Sequence, residues 1–145
     1  MPFACNPDRV WQAIRSFRDY AWAEGVGPGV LEGGGPDNAV GSVRAFTYYG
    51  MPARQRLTAH SDVERTYSWE SCAPYESIAR YELTLKVEPV EVQASQVIGT
   101  ARYEAPQAEA PKWDAFFADE FRKSLTKLRN QLERDESAKA GPEEP

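Results

Sequence analysis

Histidine is almost missing from this chain of 145 residues: there is one, His60, and cysteine occurs twice, at Cys5 and Cys72. Residue alternation puts His60 on the polar face of a strand, as a solvated side chain. This scarcity speaks against a histidine-based triad and against a metal centre, and no bound cofactor is expected. Cys5 and Cys72 form no CxxC or metal-type spacing, so they read as reduced thiols packed like small hydrophobes. A basic stripe is missing too. Lys and Arg number 17 against 22 Asp and Glu, a net charge of -5, which discounts nucleic acid as a partner. No apolar run approaches the roughly 20 residues of a membrane span. The opening MPFACNPDRV has no charged segment leading into an apolar stretch. A cytoplasmic protein without a membrane span is the expectation.

What is present is one domain's worth of ordinary sequence, 41% hydrophobic. The expected domain covers 1–134. The rest, 135–145, is polar and Pro-containing and is expected to be disordered. Asn6-Pro7-Asp8 is a strong helix start: Asn caps, Pro suits the first helical position, and Asp suits the positive end of the dipole. Val10, Trp11, Ile14 and Phe17 follow at helical spacing, with a break expected near Arg18-Asp19 and a second short helix over Tyr20 to Glu24. Val30 to Glu32 is a candidate strand.

From Gly41 the period becomes two. Gly41 to Tyr49 and Ala53 to His60 form a pair joined at Gly50-Met51-Pro52. Arg65 to Ser71, Ala79 to Val90 and Gln96 to Glu104 continue an antiparallel meander. Tyr81, Leu83, Leu85 and Val87 alternate against Glu82, Thr84, Lys86 and Glu88, so one face is covered and the other wet. After Pro111 the period returns to 3.6. Trp113, Phe117, Phe121, Leu125, Leu128 and Leu132 make one stripe on a helix from about Lys112 to Glu133. The last strand offers Gly99 and Ala101 to that stripe. Small residues opposite large ones mean either interdigitation or room for a ligand.

Four segments in order, Gly41-Ser42-Val43-Arg44, Gly50-Met51-Pro52-Ala53, Gln55-Arg56-Leu57 and Phe117-Ala118-Asp119, resemble motifs of the START and birch-pollen-allergen (SRPBCC) superfamily. The nearest likeness is to its polyketide cyclase/dehydratase-like branch and the related plant hormone receptors, over about Pro7 to Leu132. The resemblance implies an α+β helix-grip fold: a curved seven-stranded antiparallel sheet wrapped around a long C-terminal helix, two short helices near the N-terminus, and a cavity between. It also implies that Arg44, Phe46 and Tyr48 point inward and that the Met51 loop is a gate. The receptors' cavity glutamate is Gln55 here, their latch is not kept near Glu76-Ser77-Ile78, and their ligand-holding lysine has no counterpart around Tyr20 to Gly25. Hormone binding is therefore not implied.

The implied function is binding of a small, mostly apolar molecule, a lipid, polyketide or aromatic metabolite with an acidic or carbonyl end. Its expected walls are Phe46, Tyr48, Trp69, Phe117, Phe121 and Leu125, with Met51 in the gate loop and Arg44, Gln55, Tyr67 and Tyr81 as polar points. The alternative is a cyclase/aromatase-type enzyme promoting aldol closure or dehydration. For that, no inward Asp, Glu or His emerges as a base. A third possibility is an interaction protein, but the charge-mixed outer face reads as solvated. The expected assembly is a monomer or a weak homodimer.

Overall fold

The computed structural model describes the backbone of residues 1–140 and the side chains of residues 1–138. Strand β1 is Pro2–Phe3 and helix α1 is Pro7–Ile14. Strands β2 to β7 are Val26–Leu31, Val43–Tyr48, Met51–Ser61, Thr66–Ser71, Arg80–Glu91 and Ala94–Glu104, and helix α2 is Ala110–Ala140. The strands form one seven-stranded sheet in the order β1-β7-β6-β5-β4-β3-β2, antiparallel at every pairing. The α+β helix-grip layout follows: α2 lies against the inner face and α1 closes one end. No helix among the described residues is long and apolar enough to cross a membrane.

Helix α1 begins as expected. The Asn6 side chain accepts from the Asp8 N–H at 2.9 Å, Pro7 takes the first turn, and Val10, Trp11 and Ile14 are buried. It ends sooner than its apolar spacing suggests, at Ile14. Phe17 is still buried, but from a turn that the 37–38 loop ties down. Asn38 Oδ1 accepts from the Phe17 N–H, and Asp37 accepts from the Ser16 hydroxyl and the Arg18 N–H. Those side-chain acceptors, 19 to 21 residues away in sequence, compete with continuation of the helix.

Four expectations need correction. The stretch Tyr20 to Glu24 is not a helix but a series of turns. The Asp19 side chain accepts from the Ala21 N–H, and Ser124 Oγ on α2 accepts from the Glu24 N–H at 2.8 Å. Strand β2 is Val26–Leu31, longer than the expected Val30 to Glu32 and starting before it. Helix α2 continues through residues 135–140, where a polar tail was expected; residues 141–145 lie outside the described ones. His60 does not face solvent with the polar residues of β4. A bulge between Leu57 and Ala59 shifts the register and changes which side chains face inward. His60 is half-buried, with its ring 5.9 Å from Tyr67 and 5.4 Å from Trp11. Its Nε2 is 2.8 Å from the Arg15 carbonyl, so that nitrogen carries the proton.

The core is unevenly distributed along α2. Leu125, Leu128 and Leu132 are buried and pack with Val10, Trp11, Ile14, Leu57, Tyr67, Val87 and Val97. Phe117 and Phe121, nearer the start of the helix, are only half-buried. One end of the grip is therefore filled, and the other leaves space.

Candidate functional site

That space is a cavity of about 680 Å³ between the sheet and the first half of α2, within the usual size range of small-molecule sites. Strand alternation puts Phe46 and Tyr48 of β3, Ala53 and Gln55 of β4, Trp69 of β5, Tyr81 and Leu83 of β6, and Gly99, Ala101 and Tyr103 of β7 on its walls. From α2 come Phe117, Glu120, Phe121 and Ser124. Three- and four-residue steps bring these onto one helical face.

The small residues of β7 serve both of the purposes their sequence suggested. A methyl carbon on Gly99 would lie 2.2 Å from the Phe121 ring, so this glycine is what lets the ring reach the sheet. Beyond that contact the cavity stays open along Ala101 and Tyr103.

Seven of the side chains singled out from sequence come together here: Phe46, Tyr48, Gln55, Trp69, Tyr81, Phe117 and Phe121. Four do not line the cavity. Leu125 and Tyr67 are wholly buried in the core. Met51 is 63% exposed; its neighbours Pro52 and Ala53 touch the cavity instead. The segment expected as a gate is the start of β4, turned by a two-residue hairpin at Tyr49 (φ 48°) and Gly50 (φ 78°), with Tyr48 paired to Met51. Two successive positive φ values are what a type I′ turn requires.

Arg44 is the fourth. It points inward but is sealed, 2% exposed. Its Nε and Nη2 donate to Gln55 Oε1 at 2.8 and 2.5 Å, and its Nη1 donates to the Phe17 carbonyl at 3.1 Å. The guanidinium sits 3.6 Å from the Tyr20 ring centroid and 4.3 Å from that of Phe17. No carboxylate among the described residues pairs with it. Neutral oxygens and aromatic faces hold the charge instead, and burial lowers its pKa from the ordinary arginine value. The Tyr67 hydroxyl, in the same core, lies close enough to Arg44 to feel its charge but makes no well-formed hydrogen bond among the described residues.

Sequence reasoning missed an inward carboxylate. Glu120 is 9% exposed. Its Oε2 accepts from the Tyr48 hydroxyl at 3.1 Å and the Tyr49 hydroxyl at 2.5 Å. Burial, and then the Glu120 charge, push the Tyr48 phenol far above its ordinary range; Tyr49 is raised by burial and by its bond to Glu120. The signal was present in the helix period. Glu120 lies about 60° around the helix from Phe117, on the shoulder of the aromatic stripe. Tyr49 was hidden by the turn, which takes it out of the strand's alternation.

The cavity's other acidic residues are Glu24 and Asp114. Asp114 accepts from the Tyr103 hydroxyl, whose pKa is pushed up to about 12 by burial and by that bond. Arg54 also reaches the lining, but both its Nε and Nη2 are engaged by Glu32, at 2.7 and 2.8 Å. The charge facing the cavity is thus mainly negative.

Sheet, long helix and the aromatic cavity between them define a protein of the helix-grip class. The chain belongs to the polyketide cyclase/dehydrase and lipid transport family, whose model matches residues 1–133. This membership supports a ligand-binding or cyclase role. Among curated proteins no sequence match is found. Solved structures are similar in fold. A protein from Thermobifida fusca superposes with a TM-score of 0.83 at 22% identity, over 92% of this chain and 90% of that one. XoxI from Bacillus cereus gives 0.78 at 23%, over 91% of both chains. The di-domain ARO/CYC BexL of the BE-7585A biosynthetic pathway gives 0.74 at 16%, over 92% of this chain and 44% of its own. At these identities the likeness is one of fold alone.

Proposed function

We propose that the chain binds a small, mostly apolar molecule in the cavity between sheet and α2. Phe46, Trp69, Phe117 and Phe121 form the apolar wall, and Tyr48, Gln55, Tyr81 and Glu120 the polar points. The carrying observation is the roughly 680 Å³ left unfilled among aromatic side chains, in a fold whose other end is packed tight. Open apolar volume forfeits dispersion contacts, and a ligand restores them. The test is native mass spectrometry of the protein purified from its source. A discrete small-molecule adduct that is lost on denaturation is expected. Ala101→Phe, which fills the cavity, should abolish it. An adduct that persists in Ala101→Phe, or none in the parent protein, would end this reading.

A second reading is a cyclase-type catalyst, and Glu120 favours it. A carboxylate inside a largely apolar cavity, bonded by two phenols through Oε2, keeps Oε1 free of hydrogen bonds among the described residues, with the Lys123 ammonium 4.0 Å away, and that oxygen is the one to take a proton from carbon next to a ketone. The Tyr81 phenol, kept protonated by burial, is a candidate donor to the resulting enolate. Deuterium exchange of 2-tetralone in heavy water, followed by proton NMR, tests this. Exchange above the buffer rate that falls to it in Glu120→Gln is expected. No acceleration by the parent protein would remove the catalytic reading while leaving the binding one.

A further inference from the structure

Arg44 and Gln55 stand directly opposite one another in the register of β3 and β4. Arginine has only donors, and two of them converge on the single atom Gln55 Oε1. That fixes which way the amide lies: the flipped form would set N–H against N–H. The guanidinium cannot turn to suit a flipped amide, because the Phe17 carbonyl and the rings of Phe17 and Tyr20 hold it. Gln55 Nε2 therefore faces away from Arg44. It donates to no protein acceptor among the described residues, yet it is not among the buried polar atoms left without a partner. Gln55 is 8% exposed and lines the cavity. Its free N–H pair opens on the cavity rather than on bulk water.

We propose that Arg44 is a positioning residue that locks Gln55 as a one-way hydrogen-bond donor, and that the cavity thereby selects ligands carrying a neutral carbonyl oxygen. The inference rests on the cavity being a ligand site. A carbonyl accepts and cannot donate, which is the complement of Nε2. A carboxylate would also accept, but it would share the cavity with Glu24, Asp114 and Glu120, while Arg54 is already occupied by Glu32. A neutral ketone meets the donor without that repulsion. A glutamate at 55 would present only acceptors. Trp22 Nε1 and Trp69 Nε1, donors of the lining without a partner among the described residues, are fully covered, and the Tyr81 hydroxyl can accept as well as donate, so Gln55 is the neutral one-way donor left open to the cavity.

The test compares benzophenone with diphenylmethane, which differ only in C=O against CH₂, by calorimetric titration. The parent protein should bind the ketone on the order of tenfold more tightly. Gln55→Glu keeps a partner for Arg44 but removes the donor, and should cancel or reverse the preference. A readout needing no variant is the infrared stretch of ¹³C=O benzophenone bound to the parent protein, expected at lower frequency than in an alkane solvent. Equal affinities, or an unshifted stretch, would overturn the inference and leave the cavity reading standing. A preference that survives in Gln55→Glu assigns the donor to another residue and overturns it too. If neither probe binds, the cavity reading fails and this inference with it.

Discussion

The Tyr49 hydroxyl donates to Glu120 Oε2 at 2.5 Å, joining the β3–β4 turn to the middle of α2. The contact depends on two unusual backbone positions. Tyr49 itself has φ 48°, and Gly25, at φ 76°, passes beneath its ring. The Tyr49 N–H donates to the Gly25 carbonyl at 2.8 Å, and a methyl carbon on Gly25 would lie 2.6 Å from the ring. Gly25→Ala should therefore cost about 1–3 kcal/mol, from the left-handed backbone and from displacing the ring. Urea unfolding measures the loss. A change below about 0.5 kcal/mol would show that the ring moves aside freely.

One buried phenol and three half-buried ones set an alkaline limit on the fold. Tyr20, Tyr48, Tyr67 and Tyr81 all have pKa values raised above the ordinary 10.0, with burial as the largest cause. The folded state keeps these protons while the unfolded chain releases them near pH 10. Their contribution to stability is therefore complete below pH 10 and is lost as pH rises above it. Absorbance at 295 nm should show these tyrosines ionising in one steep step that coincides with unfolding by circular dichroism. Gradual ionisation with the fold intact would contradict their burial.

Arg44 tests how a charge is held without a counter-ion. Arg44→Met removes a buried guanidinium but leaves Gln55 Oε1 and the Phe17 carbonyl without their donors. Two stranded acceptors outweigh the relieved charge, and a loss of about 1–3 kcal/mol is expected. Gln55→Glu should act in the opposite direction, raising the midpoint of urea unfolding, because it supplies a carboxylate to an unpaired buried cation. If Arg44→Met were neutral, the guanidinium would be contributing nothing to the apo fold.

Much of this architecture was readable as period. Alternation at Tyr81 to Val87 and the helical stripe from Trp113 to Leu132 located the sheet, the helix and their shared face. That pattern carried Gln55, Trp69, Tyr81, Phe117 and Phe121 into one cavity, while the inward phase of Phe46 and Tyr48 came from the family resemblance, because alternation in β3 left its inner face open. What stayed hidden depends on events that break periodicity. The bulge between Leu57 and Ala59 turned His60 inward. The hairpin at Tyr49 and Gly50 placed a phenol where alternation had no entry for it. Glu120 was overlooked because a charged residue on the edge of an apolar stripe is usually solvated, and only the sheet's curvature encloses it. The end of α1 depended on Asp37 and Asn38, distant acceptors that no local pattern shows.

Asp62 links the end of α1 to the end of β4 and should contribute to acid stability. It accepts from Trp11 Nε1 at 2.8 Å and from Arg15 Nε and Nη2 at 2.8 and 2.9 Å. These bonds, Arg15's first, hold its pKa at about 2 against an ordinary 3.8. A lowered folded value means the contribution is present above about pH 4 and is lost as pH falls towards 2. The side chain is 56% exposed, so solvent screening keeps the effect modest. Asp62→Asn should lower stability at pH 7 and flatten its dependence between pH 4 and 2, as read from urea midpoints. An unchanged slope would show that other carboxylates carry the acid response.

The packing of Phe121 against Gly99 connects stability with the cavity. Gly99→Ala sets a methyl group where the ring now sits. Phe121 is half-buried and has open volume beside it, so the ring can swing into the cavity without lifting α2. The expected cost is about 1–2 kcal/mol, the lower part of the range for overpacking. The displaced ring also consumes ligand volume, so Gly99→Ala should weaken diphenylmethane binding, a probe that does not depend on the Gln55 donor. Urea unfolding and calorimetric titration on the same preparation separate the two effects. A large loss of stability with unchanged probe affinity would mean that the helix moves away from the sheet and the ring stays out of the cavity.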